Sequence, residues 1–256
     1  FSTLRRRPSA TPVPRAPRVR SGPAPGVDPR AVLARLDGEP LVRGRNVLAG
    51  WIGQGDARLG YLLVGSFALQ DDERALVGEA LDALADAPGL IVDVRPNTGG
   101  DERLAQAVAG RFADADLVYA RSVWREQTLP GTDAFAPPQD RVLVAAPEAQ
   151  RYRGRVAVLA GPACVSSTEG FLLMARALPR VTVVGRPSRG ASGNPAPFEV
   201  LPGLTVWAAR GGSLDLARLW IEGVGVAPDV PVEPTARPGG APADAVLDRA
   251  VELLRE

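Results

Sequence analysis

Short apolar runs alternate with segments of helical periodicity along most of the chain. Six apolar runs predict strands: Val47–Ile52, Leu59–Phe67, Leu90–Val94, Leu117–Val123, Arg155–Ala160 and Val181–Val184. Apolar residues that recur every three or four positions predict helices that begin at Asp71, at Asp101 and at about Ser167, and a last helix over Ala243–Leu254. Uninterrupted apolar runs are typical of parallel strands buried on both faces, so the pattern predicts the α/β class.

Two predicted hairpins are added to this alternation. Gly53–Asp56 joins the first two apolar runs, and Leu201–Gly203 joins Phe198–Val200 to Leu204–Ala208. The segment Thr128–Asp140 contains prolines and is predicted to be a loop. The predicted architecture is therefore an α/β core with added β-hairpins.

The first 45 residues differ in composition from the rest of the chain. Residues 1–45 are rich in Pro, Gly and Arg and predict an extended leader or the remnant of an upstream segment, with a short helix possible at Pro29–Leu36. Regular structure is expected from near Asn46, so residues 46–256 are predicted to form one domain. Since no apolar segment follows Phe1, we expect either a removed signal or pro-segment or a fragment of a longer protein.

The composition excludes several kinds of chemistry. All 30 basic residues are arginine, and the chain contains neither lysine nor histidine. These absences exclude a P-loop lysine, a pyridoxal Schiff base and any imidazole that could act as a base within the chain. Cys164 is the only cysteine, which excludes a disulfide within the chain and a thiolate zinc cluster. We therefore predict no metal and no cofactor.

Charge and hydropathy limit the possible partners. The net charge of +1 does not favour a nucleic-acid surface. Residues 1–20 hold six arginines and no acid, which favours a solvated extended stretch over a basic binding arm. No apolar run reaches the about 18 residues that would indicate a membrane span. The sequence thus predicts neither a nucleic-acid partner nor a membrane span, and it leaves the oligomeric state open.

Two loops carry candidate chemistry. Arg95–Gly100 follows a buried strand, and its adjacent glycines, Gly99 and Gly100, can bring N–H groups close to an anion at a helix N-terminus. Taken alone, this segment is more simply an ordinary strand-to-helix turn. Gly161–Phe171 has the same position after another strand, and it places the Ser166 hydroxyl at the positive end of a helix.

Ser166 also has a purely structural interpretation. Ser166 and Glu169 have the spacing of a capping box, which stabilises a helix by about 1 kcal/mol and needs no catalysis. Taken alone, the capping box is the better interpretation. Together, however, the two loops follow neighbouring parallel strands at the same edge of the sheet, which is where α/β proteins bind ligands. The pair predicts a crevice with Ser166 in it.

Four segments, in order, resemble the carboxyl-terminal-processing (tail-specific) protease family. They are Gly60–Leu62 with Ser66–Phe67, Leu90–Gly100, Ser166–Phe171 and Ile221–Asp229, and the resemblance covers roughly residues 46–235. It implies a ClpP/crotonase-like core of ββα units and a serine-type peptidase that acts on peptide or protein substrates. It also implies an extracytoplasmic location.

The resemblance assigns roles to particular residues. Ser166 corresponds to the nucleophile, and the oxyanion hole corresponds to a glycine of the turn, Gly99 or Gly100, together with the N–H of Ser167. In the Ser–Lys branch of the family the lysine would stand at Ala191, so that scheme is excluded. The tricorn-like branch uses a glutamate, which corresponds to Glu222, and a histidine far upstream, which this chain does not contain.

The stretch Arg189–Asn194 would lie beside the nucleophile. We expect it to line the cleft and to contact the substrate backbone through Gly190, Ser192 and Gly193. Three functions stay open at this point. The first is a serine endopeptidase whose base is supplied by a missing upstream segment. The second is a non-catalytic ligand- or peptide-binding protein on the same fold, and the third is a crotonase-like acyl-thioester enzyme that uses the oxyanion hole without a serine nucleophile.

Overall fold

The computed structural model describes residues 32–126, 135–233 and 244–256. The strands are β1 (Val42–Arg43), β2 (Val47–Ile52), β3 (Leu59–Val64), β4 (Gly89–Asp93), β5 (Leu117–Trp124), β6 (Gln139–Leu143), β7 (Arg155–Ala160), β8 (Val181–Gly185), β9 (Pro195–Leu201), β10 (Leu204–Ala209), β11 (Gly211–Leu214) and β12 (Val230–Pro231). The helices are α1 (Asp71–Ala83), α2 (Glu102–Gly110), α3 (Ser167–Ala177) and α4 (Ala245–Arg255). Most of the predicted leader, part of the predicted Thr128–Asp140 loop and the predicted helix start at Ala243 lie outside the described residues.

A seven-stranded sheet forms the centre of the fold. Its order is β1-β2-β3-β4-β7-β8-β12, with antiparallel pairing from β1 to β3 and parallel pairing from β3 onwards. Two smaller antiparallel sheets, β11-β5-β6 and the β9–β10 hairpin, are added to it. The predicted α/β class with added hairpins is confirmed.

Helices cover both faces of the central sheet, and this explains the uninterrupted apolar runs. Along β4, Leu90 and Val92 pack in the larger core cluster with helices α1, α2 and α3, whereas Ile91 packs in a second cluster with α4. Successive side chains of a strand point to opposite faces. A strand covered on both sides is therefore apolar at nearly every position. The exception in β4 is Asp93, whose buried carboxylate pairs with Arg95.

Several elements differ from the prediction. The first is β6, since Gln139 and Asp140 fall within the predicted loop. The short strands β1, β11 and β12 were not predicted, and regular structure begins before Asn46, because Val32 is buried and Val42 pairs with Ala49. These segments are short, or polar, or rich in glycine. Their strand conformation comes from the neighbouring strand and not from a periodic pattern of their own.

The register of the sheet positions the two candidate loops. Asp93 at the end of β4 lies opposite Leu159 near the end of β7. The turn 95–100 and the turn 161–166 therefore leave the same edge of the sheet on adjacent strands, as predicted. In the described ranges, no helix is long and apolar enough to cross a membrane.

Candidate active site

Ser166 has an unusual backbone conformation. It precedes α3 with φ 60° and ψ −128°, outside the regions that residues with a side chain normally adopt. Such a conformation costs on the order of 1–3 kcal/mol and occurs most often at functional sites. An ordinary N-cap is extended, so the geometry points to more than capping. Nearby Cys164 is not an alternative nucleophile, because burial raises the pKa of its thiol to about 12.

The two turns meet at the N-terminus of α3. The Ser167 hydroxyl donates to the Gly100 carbonyl oxygen at 3.0 Å. A Cβ atom on Gly99 would lie 2.9 Å from the Cβ atom of Ser166, so only glycine allows this approach. Gly100, Ser166 and Ser167 all line one cleft with a volume of about 260 Å³. The predicted crevice is therefore present.

The structure distinguishes between the two glycines. The N–H of Gly99 donates to Asn97 Oδ1 at 2.8 Å, so it is already used. Within the described ranges, the N–H groups of Gly100 and Ser167 donate no hydrogen bond. Of the two predicted alternatives, Gly100 rather than Gly99 has an N–H available for a developing oxyanion, together with Ser167.

Asn97 holds the turn in place, a role that the sequence did not reveal. The side chain is fully buried. Its Nδ2 donates to the Val64 carbonyl at 3.1 Å, and its Oδ1 accepts from the Thr168 hydroxyl at 2.7 Å as well as from Gly99. Asn97 thereby connects β3, the glycine turn and α3. The only available signal was an amide side chain next to two glycines, and that pattern also occurs in ordinary turns.

Glu169 does more than complete a capping box. Its buried carboxylate accepts from the Ser166 N–H at 3.3 Å, as a capping box requires. It also accepts from the Ser188 hydroxyl at 2.6 Å, from the Gly190 N–H at 2.5 Å and from the Ala191 N–H at 2.8 Å. Burial raises the pKa of Glu169, although these hydrogen bonds lower it in part. The carboxylate fastens segment 188–191 against the serine.

Replacing Glu169 by glutamine is expected to destabilise the protein by about 1–3 kcal/mol, because an amide NH₂ group would face N–H donors that need an acceptor. Urea unfolding followed by circular dichroism measures the change. Glu233→Gln is the matched control, since the Glu233 side chain is exposed and bridges Arg186 only at 3.5 Å. Equal midpoints for the two variants would contradict the fastening role.

The predicted substrate-binding segment is only partly in the cleft. Ser192 lines the cleft, as expected. Gly190 and Gly193 do not: a Cβ atom on Gly190 would meet the backbone of Val224, and one on Gly193 would meet Ala209. Their prediction as cleft-lining residues is corrected, because both glycines serve close packing inside the protein. Ala191, where the family's Ser–Lys branch has its lysine, accepts the Ser166 N–H at 3.2 Å.

Glu222 lies behind Ser192 as seen from the cleft. Its carboxylate accepts from the Ser192 hydroxyl at 2.6 Å and from the Ser192 N–H at 3.0 Å. Ser192 and Gly212 belong to the cleft wall, and Glu222 does not. A Cβ atom on Gly212 would overlap Glu222 Cγ at 2.8 Å, so glycine is needed there. Glu222 therefore reaches the cleft through the hydroxyl of Ser192.

The lining of the cleft also contains an ion pair. Arg141 bonds the carboxylate of Glu102 and donates to the Ser213 hydroxyl at 2.9 Å. Burial lowers the pKa of Arg141 to about 10, which leaves the guanidinium charged at neutral pH. Ser213 lies 3.2 Å from the Ser192 hydroxyl. The Ser213 hydroxyl therefore connects this ion pair to Ser192.

The sequence that forms this site matches a known protein family. A model of peptidase family S41 matches residues 58–232, which include the strands from β3 to β12, both turns and Glu222. The chain belongs to peptidase family S41. Membership of S41 points to a serine peptidase that acts on proteins or peptides, and the resemblance seen in the sequence is confirmed at that level. No curated protein is significantly similar to the chain.

Solved structures share the S41 fold. A predicted peptidase from Parabacteroides merdae ATCC 43184 superposes with a TM-score of 0.72 and 25% identity, over 85% of this chain and 67% of that one. Mature CPAF complexed with lactacystin superposes with a TM-score of 0.66 and 14% identity, over 86% of this chain and 56% of that one. The photosystem II D1 C-terminal processing protease superposes with a TM-score of 0.53 and 20% identity, over 78% of this chain and 47% of that one. This chain thus spans between about half and two thirds of their lengths.

Proposed function

We propose that the chain is the catalytic domain of a serine-type endopeptidase that forms an acyl-enzyme at Ser166. The observation that carries the proposal is the strained Ser166 at the N-terminus of α3, in one cleft with the unused N–H groups of Gly100 and Ser167. The serine oxygen attacks the peptide carbonyl, and the carbonyl oxygen becomes an anion that these two N–H groups stabilise. The base takes the serine proton and passes it to the leaving nitrogen as the C–N bond breaks, which releases the amine. Water, deprotonated by the same base, then hydrolyses the ester, and the proton returns to Ser166.

We propose that the general base for this reaction lies in a segment upstream of this chain, which is where the tricorn-like branch has its histidine. The chain has no histidine and no lysine. The Glu169 carboxylate is occupied by four donors, so it is not free to take the serine proton. Ser192 lines the same cleft as Ser166, and its hydroxyl donates to Glu222. Following the logic of a catalytic triad, this pair would orient the base and stabilise its protonated form.

Labelling with a fluorophosphonate probe tests the proposal. A positioned base contributes about 10²–10⁴-fold, so we expect the protein with its native upstream sequence to label at least about 100-fold faster than the 256-residue chain. Ser166→Ala should abolish labelling in both. Ser167→Ala is the matched control, because it keeps the backbone N–H and should still label. Rapid labelling of the isolated chain would contradict the external base.

One observation favours a second candidate, a non-catalytic peptide- or ligand-binding protein on the same fold. The chain contains no group suited to activate Ser166, yet the cleft and its hydrogen-bonded walls are complete. Absence of labelling in both forms of the protein would favour this candidate. A crotonase-like acyl-thioester enzyme would have no use for a strained serine in its cleft, so we do not propose it.

A further inference from the structure

The β9–β10 hairpin has a large apolar surface that nothing in the described ranges covers. Its two strands pair only with each other, and almost every residue in them is exposed. Phe198 lies opposite Val206, and these side chains are 42% and 45% exposed on the same face. On the other face Trp207 is 66% exposed. Such a surface is uncommon on a soluble protein unless something binds to it.

The charge of the hairpin indicates what kind of partner fits. Among residues 195–209, Glu199 is the only charged residue. A surface of phenylalanine, valine and tryptophan with one carboxylate binds apolar groups and offers little to a strongly charged ligand. The partner is therefore expected to present uncharged apolar side chains.

The base of the hairpin, where its two strands join the rest of the chain, is part of the cleft wall. Asn194 and Pro195 line the cleft where β9 begins, and Gly212 and Ser213 line it just after β10 ends. The Arg210 N–H donates to the Gly193 carbonyl at 3.0 Å and closes the base of the hairpin. The apolar surface is thus a direct extension of the wall that contains Ser192. A chain that lies in the cleft and leaves it on this side meets the hairpin next.

The two edges of the hairpin differ in their capacity to pair with another strand. Pro195 and Pro197 remove N–H donors from β9, which protects that strand against pairing. By contrast, β10 contains no proline and no charge, and the other chain segments leave its outer edge unpaired in the described ranges. An unpaired edge of this kind accepts an extended peptide as an additional strand. Two isolated strands are marginally stable in water, and a third strand or an apolar cover would stabilise them.

We propose that the β9–β10 hairpin binds extended, apolar segments of the polypeptide substrate. The bound segment adds to the β10 edge, and its apolar side chains pack beside Val206, on the face of the hairpin that also carries Phe198. This inference rests on the proposed peptidase function and names its substrate class: polypeptides that are unfolded or extended near the cleavage site and carry uncharged apolar side chains there.

Fluorescence anisotropy with the Ser166→Ala chain tests the inference without any chemistry. The probes are two fluorescein-labelled peptides of twelve residues, one alternating valine and serine, the other alternating glutamate and serine. The test variant is Phe198→Thr with Val206→Thr, which keeps the strand propensity and removes the apolar pair. The matched control is Glu199→Thr, on the opposite face across from Thr205. Circular dichroism checks that each variant is folded.

We expect the valine peptide to bind the Ser166→Ala chain at least tenfold more tightly than the glutamate peptide. The paired threonine variant should lose at least tenfold in affinity for the valine peptide, and the control should stay within twofold. Equal affinity of both peptides, or of both variants, would overturn the inference. A dimer seen by light scattering that only the paired variant dissociates, with peptide affinity unchanged, would also overturn it and assign the face to a second copy.

The two proposals can fail separately. If the valine peptide binds as expected but Ser166 never labels in the wild-type protein, the hairpin inference is supported and the peptidase proposal is contradicted. If Ser166 labels but the paired variant binds the valine peptide normally, the peptidase proposal is supported and the hairpin inference is overturned.

Discussion

Replacing Gly100 by alanine is expected to lower the rate of fluorophosphonate labelling at Ser166 by about 10²–10³-fold, the usual effect of losing one oxyanion donor. Gly100 has φ 137°, and a Cβ atom there would overlap the backbone of Phe67 and Ala68. That backbone is held in place, because the Phe67 N–H donates to the Gly99 carbonyl and the Asp101 N–H donates to Phe67. The turn must therefore shift, and the Gly100 N–H moves away from the position where it would donate to the oxyanion. The measurement uses the protein with its native upstream sequence.

Gly203→Ala is the matched control for this change. Gly203 also has a positive φ, 79°, but no atom lies within 4 Å of its Cβ position in the hairpin turn. Alanine there introduces local backbone strain far from the oxyanion turn, so labelling should stay within twofold of the wild type. A Gly100→Ala protein that labels at the wild-type rate would show that the Gly100 N–H is not an oxyanion donor.

Replacing Arg95 by methionine is expected to lower the free energy of unfolding by about 3–5 kcal/mol, because it leaves the buried Asp93 and the partly buried Asp244 without their cationic partner. Arg95 bonds Asp93 and Asp244, each at 2.6 Å. Asp93 is completely buried, and the Arg95 side chain is 13% exposed. The two ion pairs connect the end of β4, directly before the glycine turn, to the start of α4. Urea unfolding at pH 7 measures the loss.

The control is Arg249→Met, the same substitution in an exposed ion pair with Glu252 on α4, with an expected change in the free energy of unfolding below about 0.5 kcal/mol.

The loss of stability in Arg95→Met should also depend on pH. Burial alone would raise the pKa of Asp244, but the hydrogen bonds and charge of Arg95 outweigh burial and hold that pKa below its ordinary value. This contribution is present above the ordinary aspartate pKa and disappears as the pH falls through the lowered one. The difference between wild type and Arg95→Met should therefore shrink below about pH 4; an equal loss at pH 3 and pH 7 would contradict the role of Asp244.

Local patterns predicted the core and the main loops because their cause is local. Residues 90–94 are apolar except for Asp93, and this nearly uninterrupted apolar run indicates a strand covered on both faces. Gly99 and Gly100 next to such a strand, and Ser166 at a helix start, indicate two strand-to-helix turns, and their position on neighbouring strands predicted a crevice. The order of the motifs along the chain was enough to predict the family to which the chain belongs.

Contacts between distant residues could not be predicted in this way. Arg95 and Asp244 are 149 positions apart, and nothing in the local sequence of either indicates the other. The same holds for Glu222, whose hydrogen bond to Ser192 places a hydroxyl between the carboxylate and the cleft. The choice between Gly99 and Gly100 depended on Asn97, whose side chain uses one of two adjacent N–H groups.

By itself, then, the sequence determined the α/β class and the two turns, because strand burial and turn geometry depend on residues that are neighbours along the chain. It pointed to Ser166 as the candidate nucleophile only through the resemblance of its motifs to a known family. Only the tertiary structure decided what holds segment 188–191 against Ser166, and which N–H groups are left unused and which hairpin is left uncovered by the part of the chain that the structure describes. These properties depend on which distant groups satisfy a given donor or cover a given surface. Two strands with the same apolar pattern have the same sequence signature whether they are buried in a core or extend from the rim of a cleft.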